Sequence, residues 1–368
     1  MAMRTESVWF FISDLGQGGA QKVCSTLVCE LHNQGQSVGL VVLRGDQGSW
    51  PLPESVVFHS FGCNHARSVL PRLISWIRSV KPEVILVFNH QLAVLLIIAR
   101  AVSGVNVKIV ARNISNLTEK YSREAAVWHR YVVNPLVKLL FQRADTVVAQ
   151  SRGMARDLVE NYGFTEEKIA LIPNPVEFRN IEGVTRTGTY GCHKFLFVGR
   201  LEPVKNLPFL LKAFSELRKR LENVGLTILG EGSERPRLEA MCKELRISDY
   251  VRFLGWQNPD SYYASSDVTV LTSHYEGFPN VLIESMVHGK PVVSVDCPSG
   301  PNEVIVRGVN GFLVSQVQSE RFAACMEEAA LRVWEPAEIR GSVSRFAADA
   351  VAQKYWQLLS GIGQSTGC

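Results

Sequence analysis

Short apolar runs alternate with amphipathic helical stretches along almost the whole chain, and few folds accept that rhythm. The runs at 7–15, 37–43, 56–62, 83–89, 107–113 and 145–151 are rich in Val, Ile and Phe. Their apolarity is continuous rather than alternating, which points to strands covered on both faces, as in a parallel sheet. Helical patterns lie between them at 20–33, 67–80 and 91–102. The rhythm lapses at 176–193, a polar stretch with Gly183, Gly188 and Gly191, and reads there as a linker. It resumes with strands expected at 194–200, 226–230, 251–254, 268–272 and 291–295 and helices at 207–222, 235–245 and 280–288. A last helix, over 345–358, has the first domain as one surface to pack back on. The 368 residues suit two domains of about 150–200 residues each. The expected organisation is therefore α/β, with two doubly wound Rossmann-like domains facing across a cleft. They span 1–175 and 194–344, joined by the 176–193 linker and followed by 345–368. Such domains take ligand beyond the carboxyl ends of their strands.

Other classes are poorly supported. The longest apolar stretch, 92–99, is far below the roughly 20 residues that span a bilayer, and Arg100 follows it. The run at 8–12 is too short for a signal-peptide core. A cytoplasmic protein without a transmembrane helix is expected. The eight cysteines form no CxxC pair and read as reduced, structural thiols. The net charge of +4 is uneven: residues 1–180 hold 19 Lys and Arg against 14 Asp and Glu, the remainder 20 against 21. No nucleic-acid motif is present, and nucleic acid is not an expected partner. Residues 120–143 hold five Lys or Arg and one Glu among Trp128, Tyr131, Leu136, Leu139, Leu140 and Phe141. That mixture suits an interfacial helix on an anionic membrane surface and equally a helix packed on its own sheet.

Three stretches carry chemistry. In the first, Glu276, Gly277, Phe278, Pro279, Asn280 and Glu284 follow the 268–272 strand and open a helix. Ionised carboxylates accept from sugar hydroxyls, and a helix N-terminus suits phosphate. Taken singly, Glu276 reads as a helix cap and Glu284 as a surface residue; the combination points to a ligand. In the second, Gly199, Arg200 and Lys205 stand where a strand meets a helix, and two cations there fit a diphosphate. The third is the turn holding Gly18 and Gly19 after the first strand. With Gln21 where a third glycine would stand, it is no full GxGxxG, and it reads equally as a tight turn or a ligand contact.

Taken in order, the GG loop, GRLEPVKN, LGEG, VRFLGW, EGFPNVLIE, PVVSVDCPSGPNEVI and NGFLV resemble glycosyltransferase family 4 over nearly the whole chain. That family comprises retaining enzymes of the GT-B fold. The EGFPNVLIE form resembles members that build bacterial surface polysaccharides. The resemblance implies that Arg200 and Lys205 neutralise the donor diphosphate, that Glu276 sits by the transferred sugar and that Glu284 binds the ribose. It implies backbone contacts around Phe278 and Asn280, and an approach by Gly18 and Gly19 from the first domain. The base falls near Gly230, Gly255 and Trp256. Many members have glycine where Pro279 stands, and Pro279 has no N–H to offer. Many also have a histidine after the fifth strand, where this chain has Arg112 and Asn113. These two, with His90, are the acceptor-side candidates, and His90 equally suits a structural role.

The implied reaction moves a hexose or N-acetylhexosamine from a nucleotide sugar, most simply a UDP-sugar, to a saccharide on undecaprenyl diphosphate at the inner membrane face. No DxD-type pair stands at a suitable strand end, so no metal or cofactor beyond the donor is expected. Two other readings remain: a nucleotide-sugar epimerase of the same fold, and a non-catalytic sugar-nucleotide-binding scaffold.

Overall fold

A computed structural model describes residues 7–16, 18–45, 50, 52–63, 66–113, 115–122, 134–178, 192–315 and 318–364. It divides into two compact units, Met1–Glu177 with Phe346–Cys368, and Phe178–Arg345.

The first unit is built on a parallel sheet whose strands are β1 Val8–Ile12, β2 Val38–Val42, β3 Val57–Ser60, β4 Val84–Val87, β5 Lys108–Arg112, β6 Thr146–Ala149 and β7 Ile169–Leu171. Their order is β3-β2-β1-β4-β5-β6-β7. Every residue of β1 is buried because each face of the sheet has its own core. Val8, Phe10 and Ile12 point into one core, with Val23, Leu27 and Leu31 of helix Gly19–Asn33. Trp9 and Phe11 point into the other, with Leu73 and Ile77 of helix Ala66–Val80 and Leu96 of helix His90–Ser103. Side chains on a strand alternate in direction, so two covered faces demand the unbroken apolar runs seen in the sequence.

The terminal helix runs Ala348–Gln364, starting and ending later than the periodicity suggested. It belongs to the first unit, where Val351, Ala352, Tyr355 and Leu359 join the core beside helix Gly19–Asn33. Val176 meets the chain just before this helix, its N–H donating to the Phe346 carbonyl at 2.8 Å. Residues 179–191 of the expected linker, and 123–133 of the basic segment, lie outside the described residues. Of that basic segment, helix Asn134–Phe141 buries Val137 and Phe141 and exposes Leu139.

The second unit repeats the plan with β8 His193–Val198, β9 Val224–Leu229, β10 Val251–Phe253, β11 Val268–Leu271, β12 Val292–Val295 and β13 Gly311–Val314, ordered β10-β9-β8-β11-β12-β13 and parallel throughout. Strand β8 lies between β9 and β11, so the connections leaving β8 and β11 depart in opposite senses. That switch opens a crevice beyond the carboxyl ends of these strands, and it places the 199–205 and 272–276 loops side by side.

Leu359, on the inner face of the terminal helix, is fully buried. Leu359→Ala is expected to destabilise the first unit by about 2–5 kcal/mol. A lowered urea midpoint for that unit's transition checks this; an unchanged midpoint would show that the helix is not part of its core.

Candidate active site

The site of the second unit is held together by one carboxylate. Lys205 ends a 3-10 turn, Pro203–Lys205, and its Nζ lies 2.6 Å from Glu276 Oε1. The Ser273 hydroxyl donates to the same oxygen at 2.5 Å. The two partners of the ion pair are only 16% and 12% exposed, so the attraction is less screened than at an open surface. Oε2 makes no hydrogen bond among the described residues.

Local sequence explains the arrangement. Strand β11 ends at Leu271, and Thr272 and Ser273 continue its line, both buried. The Thr272 hydroxyl donates to the Lys205 carbonyl at 3.0 Å, and the His274 N–H donates to the Val204 carbonyl at 2.8 Å. These bonds fasten the β11 loop to the β8 loop. The Glu276 N–H donates to the Pro298 carbonyl at 3.1 Å, fixing the carboxylate's backbone to the loop after β12. Beside it, burial foremost and the Glu276 charge next push the Cys297 thiol up to about 12, with Lys205 opposing.

Arg200 has a different setting. It follows Gly199 at the end of β8, is exposed, and forms no ion pair among the described residues. One cation is thus committed to Glu276 while the other stands open.

Glu284 lies within helix Asn280–Val287 and accepts a 3.0 Å hydrogen bond from the Tyr263 hydroxyl. Tyr263 is fully buried, and burial together with the Glu284 charge raises its pKa well above the usual tyrosine value. The phenol therefore stays protonated and remains a donor.

Glycines let the strand ends crowd together. Gly230 has φ 130°, and a Cβ there would strike the Gly199 carbonyl. Gly255 has φ 70°, a left-handed conformation costly for other residues, and a Cβ would lie 2.6 Å from Glu231 Oε1. The Gly230 N–H donates to the Gly255 carbonyl at 2.7 Å, and Trp256 just beyond is 55% exposed. Pro279 precedes helix Asn280–Val287; a Cβ on Gly300 would lie 2.5 Å from its ring, so Gly300 makes room for the proline. Gly277 and Phe278 complete the loop between Glu276 and that helix.

Comparison with known proteins now decides the family. The model for "Glycosyl transferases group 1" matches residues 191–332, and that for "Glycosyltransferase Family 4" matches residues 17–179. The lipopolysaccharide 1,6-galactosyltransferase of Escherichia coli K12 is 30% identical over 318 residues, covering 81% of each chain. This chain belongs to glycosyltransferase family 4.

Another relative of this glycosyltransferase is the N-acetylgalactosamine-N,N'-diacetylbacillosaminyl-diphospho-undecaprenol 4-alpha-N-acetylgalactosaminyltransferase of Campylobacter jejuni. It is 29% identical over 328 residues, covering 84% of this chain and 86% of the relative. Among solved structures, Anabaena HepE in complex with UDP-glucose superposes with a TM-score of 0.75 at 19% identity, covering 96% of this chain and 99% of that one. Two parallel-sheet Rossmann-like units of the GT-B class are thus shared.

In the second unit, the structure sets Lys205 against Glu276 and crowds Gly199, Gly230 and Gly255 at the carboxyl edge of the sheet, with Arg200 next to Gly199 in the chain and Glu284 on the helix that follows the Glu276 loop. In the first unit, Gly18 has ordinary extended backbone and precedes helix Gly19–Asn33. A Cβ on Gly19 would meet nothing within 4 Å, so packing within the unit does not demand that glycine. Asp14 organises the turn. Burial opposes its ionisation, but the Gly16 N–H, Gln21 amide and Arg44 guanidinium outweigh burial and hold its carboxyl below the ordinary value.

The acceptor-side candidates are far more enclosed than side chains reaching for a substrate. His90, Arg112 and Asn113 are all at most 2% exposed. His90 Nε2 lies 2.7 Å from the Tyr121 hydroxyl. Arg112 donates through Nε to the Tyr355 hydroxyl at 3.2 Å and through Nη2 to Asn174, above the Phe88 ring. It ties the terminal helix and the segment after β7 to the sheet. Arg112 Nη1 and both amide atoms of Asn113 are buried without hydrogen-bond partners among the described residues.

The sequence alone does not single out Ser273 and Tyr263. For Ser273 a signal existed, the Ser-x-x-Glu spacing inside the already notable stretch; for Tyr263, in helix Asp260–Ser265, only the tertiary fold reveals the contact. Among the described residues no group of three or more His, Cys, Asp or Glu is arranged to hold a metal ion, and no helix is long and apolar enough to cross a membrane.

With its thiol raised to about 12 and buried, Cys297 is expected to resist iodoacetamide at pH 8 while exposed Cys192 reacts. Peptide mass spectrometry of the native protein checks this. Equal modification of both would contradict the closed environment beside Glu276.

Proposed function

We propose that this family 4 glycosyltransferase is a retaining, metal-independent enzyme. It moves a hexose or N-acetylhexosamine from a UDP-sugar to a saccharide carried on undecaprenyl diphosphate, in the assembly of a bacterial surface polysaccharide. The observation that carries the reading is Glu276, fixed through Oε1 by Lys205 and Ser273 beside the open Arg200. Two cations and one oriented carboxylate at a strand switch match a diphosphate joined to a sugar. The Campylobacter relative's name specifies a diphospho-undecaprenol saccharide, the Escherichia coli relative's a lipopolysaccharide, and HepE was solved with UDP-glucose. These support the choice of acceptor class and base. The inner face of the cytoplasmic membrane is the matching location.

The chemistry follows from the side chains. As the bond from sugar C1 to the diphosphate oxygen breaks, negative charge grows on the departing diphosphate. Arg200, standing open, and Lys205, turning from Glu276 to the diphosphate, stabilise that charge. Glu276 places its second oxygen against the sugar and stabilises the cationic ring. The acceptor hydroxyl attacks C1 from the face the diphosphate leaves, giving retention, and its proton passes to a diphosphate oxygen. Glu284, steadied by Tyr263, accepts from ribose hydroxyls, and the exposed Trp256 ring offers a face to the base. Gly18, Gly19, His90, Arg112 and Asn113 are assigned to the first unit's contribution; the three buried residues among them shape the acceptor side from beneath.

A thermal-shift and hydrolysis screen of UDP-, GDP- and ADP-sugars tests the reading. Stabilisation by UDP-sugars is expected, weakened about 10- to 100-fold in affinity by Arg200→Ala. Glu276→Ala is expected to lower turnover by about 10²- to 10³-fold with the fold retained. No response to any sugar nucleotide would overturn the donor-site assignment.

A further inference from the structure

Ser273 touches no substrate in the reaction as written, yet its placement is specific. It is 1% exposed, at the very end of the β11 line, and its hydroxyl has one hydrogen-bond partner among the described residues, Glu276 Oε1 at 2.5 Å. Its neighbour Thr272 uses its own hydroxyl differently, on the backbone carbonyl of Lys205 at 3.0 Å. Adjacent hydroxyls thus divide the work: Thr272 fastens one loop to another, and Ser273 holds a side chain.

The second donor on Oε1 is Lys205 Nζ at 2.6 Å. An ammonium on a flexible four-carbon stem carries three donors and follows the strongest nearby charge. A bound diphosphate competes with Glu276 for it. As Lys205 turns toward the diphosphate, Oε1 loses its charged donor at the moment when Glu276 must be best aligned. The Ser273 hydroxyl, on a buried strand end, stays in place.

We propose that Ser273 is a positioning residue that keeps Glu276 Oε2 directed at the transferred sugar when Lys205 is drawn to the donor diphosphate. This rests on the role given to Glu276 under Proposed function. Its consequence is a separation of effects: Ser273 matters to turnover and little to nucleotide binding, because it touches neither phosphate nor base.

Ser273→Ala, Ser273→Thr, Glu276→Ala and the Ser273→Ala/Glu276→Ala double variant test this. UDP binding is followed by calorimetry, and UDP release is assayed from UDP-glucose, UDP-galactose and UDP-N-acetylgalactosamine. Loss of a hydrogen bond to a charged group is expected to lower kcat of Ser273→Ala by about 10- to 100-fold. The KM and the UDP Kd are expected to move by less than about threefold. Ser273→Thr, which keeps the hydroxyl, restores most of the loss, and the double variant is no slower than Glu276→Ala alone, since Ser273 acts through Glu276. Wild-type turnover in Ser273→Ala beside an impaired Glu276→Ala would overturn the positioning role and leave the functional reading standing. A parallel loss of UDP affinity and thermal stability, unrestored by threonine, would show a merely structural serine and overturn it too. Wild-type rates in Glu276→Ala, or no UDP release from any of the three sugars, would overturn the reading beneath and the proposal with it.

Discussion

Two donors meet on one oxygen of Glu276, and the rest of the second unit's site is arranged so that they can. A carboxylate only 12% exposed is costly unless it is paired and hydrogen-bonded. Lys205 supplies the pairing and Ser273 the neutral hydrogen bond. Each reaches Glu276 because Thr272 and His274 bind the backbone of the 203–205 turn, and because the Glu276 N–H is anchored on Pro298. The interaction thus links the carboxyl ends of β8, β11 and β12. Arg200, left out of this network, stands open at the same edge. The result is a fixed anionic group, a cation tied to it and a cation free to meet an anion, within one small region.

The first unit shows the complementary use of polarity. Its sheet is covered on both faces, and the terminal helix closes one of its cores. Arg112 brings a guanidinium into that interior, held through Nε by Tyr355, through Nη2 by Asn174 and against the face of Phe88, while Nη1 has no hydrogen-bond partner among the described residues. Asp157 does a similar job nearby, accepting from the Leu117 and Thr118 N–H groups and so capping helix Leu117–Ser122 with a buried carboxylate. Asp157 thus holds the segment after β5, and Arg112 ties the terminal helix and the segment after β7 to the sheet.

The alternating pattern of the chain was enough to reveal two doubly wound units, because strands such as β1 and β11 are buried on both faces and so are apolar throughout. It missed β7 and β13. Strand β7 (Ile169–Leu171) has three residues and β13 (Gly311–Val314) four, each at the edge of its sheet; both are apolar, but runs this short do not stand out from the sequence around them. Glu276, Arg200 and Lys205 stand out in the sequence as candidates because charge at a strand-to-helix junction is locally unusual, and Glu284 through its spacing from Glu276. Their partners do not. Tyr263 is one aromatic residue in an ordinary helix until the fold sets its hydroxyl against Glu284, 21 positions later. Arg112 stood out by position, but its burial depends on Tyr355, 243 residues further on. Single-residue chemistry can be read from spacing, whereas pairing across the chain is a property of the folded sheet.

The central claim is that the β8 and β11 loops of the second unit bind the diphosphate of a sugar nucleotide. A crystal structure of the enzyme with UDP tests it most directly. The account predicts the diphosphate on the Arg200 guanidinium and the Lys205 ammonium, the ribose hydroxyls on Glu284, and the uracil beside Trp256. UDP bound elsewhere on the protein, with Lys205 and Glu276 still paired and Arg200 bare, would contradict it.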